Sequence, residues 1–391
     1  MTIPEEFKDI APYDDEQFHE KMSSLVREPG FEHAIRYVMP DVDYDEFCRE
    51  LVNVPSQDEF QRSVMGKFLE FLAAKTTSGI TFDGVENYDP ALNYTFITNH
   101  RDIVLDASFL NLCFIRSGMP VTQVAIGNNL LIYEWISDLV KLNRSFIVKR
   151  DVKVTAALEA AKQLSAYIHF TITRKHESVW IAQREGRAKD SNDLTQESLV
   201  KMISLAGEGS VKDRVMEVNL MPVSISYEYD PNDYLKAREF LLRRRDPNFH
   251  KSQRDDLLSM ETGMLRHKGH VHFRLGKCIN AAMAGFDNDN RGAVIHEACR
   301  LIDNEIHRGY YLYPGNYIAY DEYNATNRFS DRYSRSDMER FDAYINGQLD
   351  QVDVPDVTPE ERAFMRGMML MMYANPVVNK LRACAEAGVE I

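Results

Sequence analysis

A histidine lies between a strand-like and a helix-like segment, with two aspartates close behind it. His100 follows the β-branched and aromatic segment Tyr94–Thr98, which predicts a strand. Asp102 is a suitable N-cap for the apolar run Ile103–Ile115, which predicts a helix. Asp106 follows one to two turns later, where its carboxylate could hold the imidazole in one tautomer and stabilise its cationic form. This arrangement is typical of a general base that removes a proton from a hydroxyl group.

Basic residues follow two other predicted strands. Lys149 and Arg150 come directly after Ser145–Val148, where they offer a fork for a phosphate group. Another predicted strand, Val179–Ala182, runs into a charged turn whose glycine allows the backbone to approach a ligand closely. The residues of interest in that turn are Arg184, Glu185, Gly186, Arg187 and Lys189.

Strand-like and helix-like segments alternate through the middle of the chain. The predicted strands are Tyr94–Thr98, Val121–Ala125, Ser145–Val148, Val179–Ala182, Val218–Tyr227 and His270–Leu275. The predicted helices are Ile103–Ile115, Leu131–Val140, Val154–Phe170, Glu197–Leu205 and Gly292–Ile306. The alternation predicts an α/β layered fold with a mostly parallel sheet, in which ligands bind outside the carboxyl ends of the strands.

Helical regions are expected on both sides of this core. Residues 1–85 are predicted to be a helical N-terminal region, with helices at Asp15–Val26, Asp43–Val52 and Asp58–Ala74. The α/β core is expected over 86–320, with the candidate site in 94–230. Residues 321–391 are expected to form a helical C-terminal region, and its last helix begins with the capping box of Thr358 and Glu361.

Composition excludes several classes of function. The formal net charge of −14 argues against a nucleic-acid binder that depends on a basic surface. The five cysteines form no CxxC pair, which suits free thiols in a reducing compartment. The first residues show no signal-peptide pattern, and no apolar run reaches the roughly 18 residues that span a bilayer. We therefore expect a cytoplasmic protein, in contact with a membrane only at its surface.

Taken in order, the charged segments resemble the glycerolipid acyltransferase superfamily, which includes glycerol-3-phosphate and lysophosphatidate acyltransferases. The similarity covers about residues 90–230 and consists of four blocks. The blocks are Asn99-His100 with Asp106, Phe146–Arg150, Glu185-Gly186-Arg187, and Met221–Ile225 with its internal Pro222. Arg101, directly after the histidine, resembles the glycerol-3-phosphate branch in particular.

The chain differs from the family pattern at two points. Five residues separate His100 from Asp106, where the family has four. The partner of the histidine is therefore expected to be Asp106, with Asp102 as the alternative. Arg187 follows the glycine directly, where the family has one residue between them. Arg187 and Lys189 are accordingly alternative ligands for a phosphate.

The resemblance implies an O-acyltransferase of phospholipid biosynthesis that works without a metal ion or bound cofactor. His100 would take the proton of an acceptor hydroxyl, which attacks the thioester of acyl-CoA or acyl-carrier protein, and Asp106 would orient His100. The acceptor would be glycerol-3-phosphate or a lysolipid such as lysophosphatidate, used at the inner face of the membrane. Its phosphate and the rest of the substrate would be bound by Arg101, Lys149, Arg150, Glu185, Gly186, Arg187 and Lys189.

Two alternatives remain open at this level. The departures from the family pattern also fit a lipid- or acyl-carrier-binding relative that has lost the activity, or an acyltransferase with a non-glycerol lipid acceptor. The methionine-rich helix after Thr358 suits core packing, and it also suits contact with an acyl chain or a membrane.

Overall fold

The computed structural model describes residues 3–150 and 153–391. Within these residues, seven strands form a single sheet. They are β1 Gly79–Asp83, β2 Thr95–Thr98, β3 Gln123–Gly127, β4 Ser145–Val148, β5 Val179–Ala182, β6 Leu220–Tyr227 and β7 His270–Leu275. Their spatial order is β1-β7-β6-β2-β5-β3-β4. All neighbouring strands are parallel except β6 and β7, which are antiparallel. The predicted α/β fold with a mostly parallel sheet is therefore confirmed.

The helices fall into three groups along the chain. The first group precedes the central strands and comprises α1 Asp15–Leu25, α2 Pro29–Val38, α3 Tyr44–Val52, the short α4 Gln57–Glu59 and α5 Gly66–Thr76, with a π-helical segment at Phe60–Met65. The second alternates with the strands and comprises α6 Leu105–Arg116, α7 Glu134–Leu142, α8 Val154–Phe170, α9 Glu197–Ile203, α10 Val211–Glu217, α11 Asp233–Arg245 and α12 Gln253–Leu265. The third follows β7 and comprises α13 Asn280–Ala284, α14 Arg291–Gly309, α15 Pro314–Tyr323, α16 Arg335–Leu349 and α17 Pro359–Ala387.

The sheet is buried on both faces, because its strands place apolar side chains alternately on either side. Phe96 and Trp180 face one layer, where they pack with buried residues of α6 such as Leu110. Ile97 and Ile181 face the other layer and pack with residues of α8, α9 and α14. This two-sided burial fixes the register of the strands and therefore the positions of the residues that follow them.

Strand β2 lies at the centre of the sheet and sets the position of the histidine. Thr98, its last residue, is the register partner of Ala182 in β5 and of Val223 in β6. His100 therefore follows a strand that is held on both sides, at the edge where parallel strands end. This is the edge at which open α/β sheets bind ligands.

One part of the N-terminal prediction is wrong. Residues 79–83 lie in the region expected to be helical, but they form β1, which pairs in parallel with β7. The segment Gly-Ile-Thr-Phe-Asp is short and half-buried, and its partner strand lies about 190 positions later in the chain. Because the pairing joins segments so far apart in the sequence, the only local sign of this strand is a short run with β-branched residues.

The methionine-rich helix α17 belongs to a C-terminal bundle. Met365, Met369 and Met372 are buried among residues of α11, α15 and α16. This supports the core-packing interpretation of these methionines. No helix in the described part of the chain combines the length and apolar character that crossing a membrane requires.

A buried carboxylate joins α11 to this bundle. Asp233 accepts hydrogen bonds from the hydroxyl groups of Tyr344 (2.6 Å) and Tyr373 (2.8 Å). Burial raises the pKa of Asp233 to about 7, although both tyrosine hydrogen bonds act in the opposite direction. We therefore expect the docking of α11 to depend on pH.

We expect the substitution Asp233→Asn to remove this sensitivity. An aspartate in an unfolded chain titrates near pH 4. Between about pH 4 and 7 the folded wild type therefore binds the extra proton, and its stability falls as the pH rises. The unfolding free energy of the variant minus that of wild type should increase from pH 5 to 7 and level off above about pH 8, as measured by urea denaturation. A difference that stays constant with pH would contradict this role of Asp233.

Candidate functional site

The histidine and the second aspartate form a hydrogen-bonded pair. His100 Nδ1 lies 2.8 Å from Asp106 Oδ2. Because the carboxylate accepts at Nδ1, the proton of the neutral ring is assigned to this nitrogen, and Nε2 is left as the basic atom. The side chain of His100 is 13% exposed, whereas that of Asp106 is 1% exposed. The imidazole can thus reach a ligand while its partner remains inside the protein.

The carboxylate of Asp106 is held from three further directions. Its Oδ2 accepts hydrogen bonds from the backbone N–H groups of Arg101 (2.6 Å) and Asp102 (3.0 Å). Its Oδ1 accepts a hydrogen bond from the hydroxyl of Tyr227 (3.1 Å). Burial raises the pKa of Tyr227 well above its usual value, and the neighbouring carboxylates add to this effect, so the phenol remains a donor. These bonds compensate the cost of burying a charged group.

Asn99 fixes the loop on the neighbouring strand. Its side chain donates to the carbonyl of Ile225 (2.9 Å) and accepts from the backbone N–H of the same residue (2.8 Å). Because Asn99 is fully buried, both bonds are protected from water. The asparagine therefore sets where His100 leaves the sheet, which explains its place in the first sequence block.

Asp102 has a different role from Asp106. Its Oδ1 accepts from the N–H groups of Val104 (2.9 Å) and of Leu105 (2.7 Å), the first residue of α6. The helix begins two residues later than predicted, and Val104 rather than Asp102 holds the N-cap position. Of the two aspartates considered as partners of His100, the structure places Asp106 against the imidazole.

Arg101 is directed into the interior. Its side chain is 6% exposed and forms an ion pair with Asp193 at 2.7 Å. The guanidinium also lies over the ring of Tyr310, 5.8 Å from its centroid. The structure does not bring Arg101 together with the other predicted ligands. It instead ties the histidine loop to the chain that follows β5.

A polar cavity of about 360 Å³ opens beside His100. The turn after β5 contributes Arg184, Glu185, Gly186, Arg187 and Lys189, and the end of β4 contributes Arg150. Helices α11 and α12, the residue before α11 and the loop between the helices also line it, with Asn232, Lys236, Arg238, Lys251, Asp255, Asp256 and Ser259, among others. The cavity thus collects five of the predicted ligands together with the histidine.

The basic residues of this cavity differ in what they contact. Arg150 Nη1 lies 3.4 Å from Glu185 Oε1, and Lys189 forms an ion pair with Glu239 of α11. Burial lowers the pKa of Lys189, and pairing with Glu239 opposes this. Arg187, in contrast, has no carboxylate within ion-pair distance in the described residues. Asn232 accepts from Arg187 (2.9 Å) when its amide is oriented with the nitrogen toward the carbonyl of Ser259.

Lys149 is placed differently from Arg150. Its ammonium pairs with Asp9 (2.5 Å) and donates to Gln163 of α8 (2.9 Å). These partners hold the amine on the side of the N-terminal segment, and Lys149 does not line the polar cavity. The lysine and arginine therefore do not form the two-pronged fork that their adjacency suggested.

An apolar cavity of about 840 Å³ meets the polar one at His100. Much of its wall comes from the N-terminal helices and α7, including Leu25, Phe31, Val64, Leu72, Trp135 and Leu139. The sheet contributes Trp180 and Ala182, and α12 contributes Met260 and Met264. The ring of Trp180 meets that of His100 edge to face, with centroids 6.0 Å apart. The volume is in the range of ligand pockets, and the lining suits a hydrocarbon chain.

The contribution of α11 to the polar cavity and of α12 to both cavities was missed in the sequence. Lys236, Lys251 and Ser259 belong to a charged helical stretch with no motif. The tertiary fold, rather than any local pattern, brings this stretch into the cavity with His100. Gly263 lies within α12, where the lack of a side chain allows close contact with Asp102.

Comparisons with known proteins give limited information. No protein-family model matches the chain, and no curated protein matches it significantly. Among solved structures, it is similar to the crystal structure of the 1-acyl-sn-glycerophosphate (LPA) acyltransferase, PlsC, from Thermotoga maritima, with 13% sequence identity and a TM-score of 0.35. The alignment covers 74% of this chain and 96% of that one. A similarity this low does not identify a function, which must be inferred from the residues of the site.

We expect Gly263→Ala to disturb the histidine loop. A Cβ atom at this position would lie 1.9 Å from Asp102 Oδ2, so α12 or the loop must shift. Overpacking of this kind costs about 1–3 kcal/mol, which urea denaturation can measure. Gly367→Ala in α17 is a matched control, because the added Cβ meets no described atom within 4 Å. It should stabilise the protein by up to about 1 kcal/mol. Equal stability of Gly263→Ala and wild type would show that the contact is not tight.

Proposed function

We propose that the protein is an O-acyltransferase that moves a fatty acyl group from a thioester to a hydroxyl group of a glycerol-phosphate-type acceptor. One observation carries this proposal: the pair of His100 and Asp106 lies where an apolar cavity meets a basic polar cavity. An acyl transfer needs a hydrocarbon site, a polar acceptor site and a base between them. The four sequence blocks and the site support the same superfamily.

The apolar cavity would hold the acyl chain of the donor. Its lining is mainly aliphatic and aromatic, and it leads from the N-terminal helices to His100. A chain bound there would place the thioester carbonyl at the junction of the two cavities. The donor would be acyl-CoA or acyl-carrier protein, with the thiol portion extending out of the protein.

The polar cavity would hold the acceptor. Arg187 is the favoured phosphate ligand, because its guanidinium faces a neutral amide rather than a carboxylate. Arg150 and Lys189 would contribute positive charge after exchanging their acidic partners for the phosphate. The acceptor would be glycerol-3-phosphate or a lysolipid such as lysophosphatidate, and we propose that the enzyme meets it at the membrane surface.

His100 would act as the general base of the reaction. Its Nε2 takes the proton of the acceptor hydroxyl as the oxygen attacks the thioester carbonyl. The resulting imidazolium is stabilised by Asp106, whose position is fixed by the two backbone N–H groups and Tyr227. When the tetrahedral intermediate collapses, the C–S bond breaks and the imidazolium returns its proton to the thiolate. No group other than donor and acceptor is consumed.

We expect His100→Ala to lose acyl transfer while remaining folded. Loss of a general base lowers rates by about 100-fold to 10,000-fold. Thiol release should be measured from palmitoyl-CoA and from palmitoyl-acyl-carrier protein, each with glycerol-3-phosphate and with lysophosphatidate. His296→Ala is the control, because the His296 side chain is 75% exposed.

Release that requires one acceptor and disappears in His100→Ala would establish donor, acceptor and base together. Equal rates in His100→Ala and wild type would refute the mechanism. If wild type binds the donor but no acceptor, including non-glycerol lipids, gives product, the chain is a binding protein.

We further expect Val64→Phe to shift the enzyme toward shorter donors. Val64 lies in the π-helical segment and lines the apolar cavity, so the larger side chain would occupy space used by the acyl chain. The ratio of rates with palmitoyl and octanoyl donors should fall by at least about 10-fold. Val64→Ala, which leaves the cavity open, should retain the palmitoyl preference. An unchanged ratio in Val64→Phe would place the acyl chain elsewhere.

A further inference from the structure

We propose that Arg184 is a second catalytic residue, which stabilises the negative charge on the thioester oxygen in the transition state. This inference rests on the proposed acyl transfer. The motif similarity assigns no role to the residue before Glu185, and the sequence singled out Arg184 only as part of a charged turn, without a role in the site. The assignment follows from its position in the sheet, its place in the cavities and its contacts.

Sheet register places Arg184 beside His100. Thr98 of β2 and Ala182 of β5 are register partners in parallel strands, and the backbone N–H of Gln183 donates to the carbonyl of Thr98 (2.8 Å). His100 and Arg184 each follow these partners by two residues. Both side chains line the apolar cavity together with Trp180 and Ala182. His100 indeed packs against Trp180.

Arg184 also lies at the junction of the two cavities. Six residues line both of them, namely His100, Ile103, Leu130, Arg150, Arg184 and Glu185. Two of these are cationic. Arg187 and Lys189 line the polar cavity but do not line the apolar one. A carbonyl that bridges an acyl chain and an acceptor would lie at this junction.

The two arginines of the junction differ in their contacts. Arg150 is already paired with Glu185 at 3.4 Å. Arg184 forms no ion pair with any residue that the structure describes, and its buried Nε has no hydrogen-bond partner among them. Its backbone is nevertheless anchored on both sides, because Gln183 bonds to Thr98 and the N–H of Glu185 donates to Gln196 (2.8 Å). Arg184 is therefore a cation on an anchored backbone, with unused donors.

Such a donor suits the charge that forms during acyl transfer. As the acceptor oxygen bonds to the carbonyl carbon, the electron pair of the C=O bond moves to oxygen, and the N–H groups of Arg184 can donate to this oxyanion. The pair then re-forms the C=O bond, the C–S bond breaks, and His100 gives the proton to the leaving thiolate. A preorganised donor in a partly buried site stabilises the transition state more than the ground state.

Kinetics can separate this role from phosphate binding. We expect Arg184→Gln to lower kcat by about 100-fold to 1,000-fold, the usual effect of losing one oxyanion donor, with little change in the KM of the acceptor. Arg184→Lys should recover part of kcat, because a cation is restored. Arg187→Gln is the matched comparison, because Arg187 lines the polar cavity but not the apolar one. It should raise the KM of the acceptor and weaken competition by inorganic phosphate. Circular dichroism and thermal unfolding verify that each variant is folded.

The kinetics of Arg184→Gln and of wild type distinguish the possible roles of Arg184. A raised acceptor KM with unchanged kcat in Arg184→Gln would make Arg184 a phosphate ligand and overturn the inference. Wild-type kinetics in Arg184→Gln would overturn it as well, with acyl transfer by the wild type leaving the proposed function intact. An inactive wild type would instead remove the proposed function and this inference together.

Discussion

The buried carboxylate of Asp106 is the constraint on which the site depends. A charge taken out of water must be hydrogen-bonded on its lone pairs, or the fold loses several kcal/mol. The imidazole of His100, two backbone N–H groups of the loop and the hydroxyl of Tyr227 meet this requirement. Tyr227 ends β6, whereas the other donors belong to the loop that follows β2. The carboxylate that orients the base therefore also joins these two neighbouring strands.

The parallel register of the sheet extends this order to the remaining groups. Strands β2, β5, β3 and β4 run in one direction and end at one edge, so residues far apart in the sequence meet there. His100, Arg150 and Arg184 need no contact with one another to be correctly placed. Helices α11 and α12 then close the polar side, and α11 is itself held by the contact of Asp233 with the C-terminal bundle.

Local patterns predicted the parts of the fold that local physics determines. The strands Ser145–Val148 and Val179–Ala182 and the helix Val154–Phe170 have the predicted bounds, because each is a continuous apolar or periodic segment ended by charge or a turn. The fold class followed from their alternation. Strand β1 and the cavity wall from α11 and α12 depend on partners distant in the sequence, and the inward turn of Arg101 depends on Asp193, so no local pattern identifies them.

The spacing between the histidine and the aspartate shows how structure decides between two candidates. The sequence allowed Asp102 or Asp106 as the partner of His100. Asp102 uses its Oδ1 to accept from the N–H groups of Val104 and Leu105 at the start of α6, and Gly263 of α12 lies against its other oxygen. Burial raises the pKa of Asp102, and the nearby Asp106 raises it further. Asp106 instead receives hydrogen bonds from the imidazole, from two backbone N–H groups and from Tyr227. The additional residue before Asp106 therefore fits a loop in which one carboxylate starts the helix and the other supports the base.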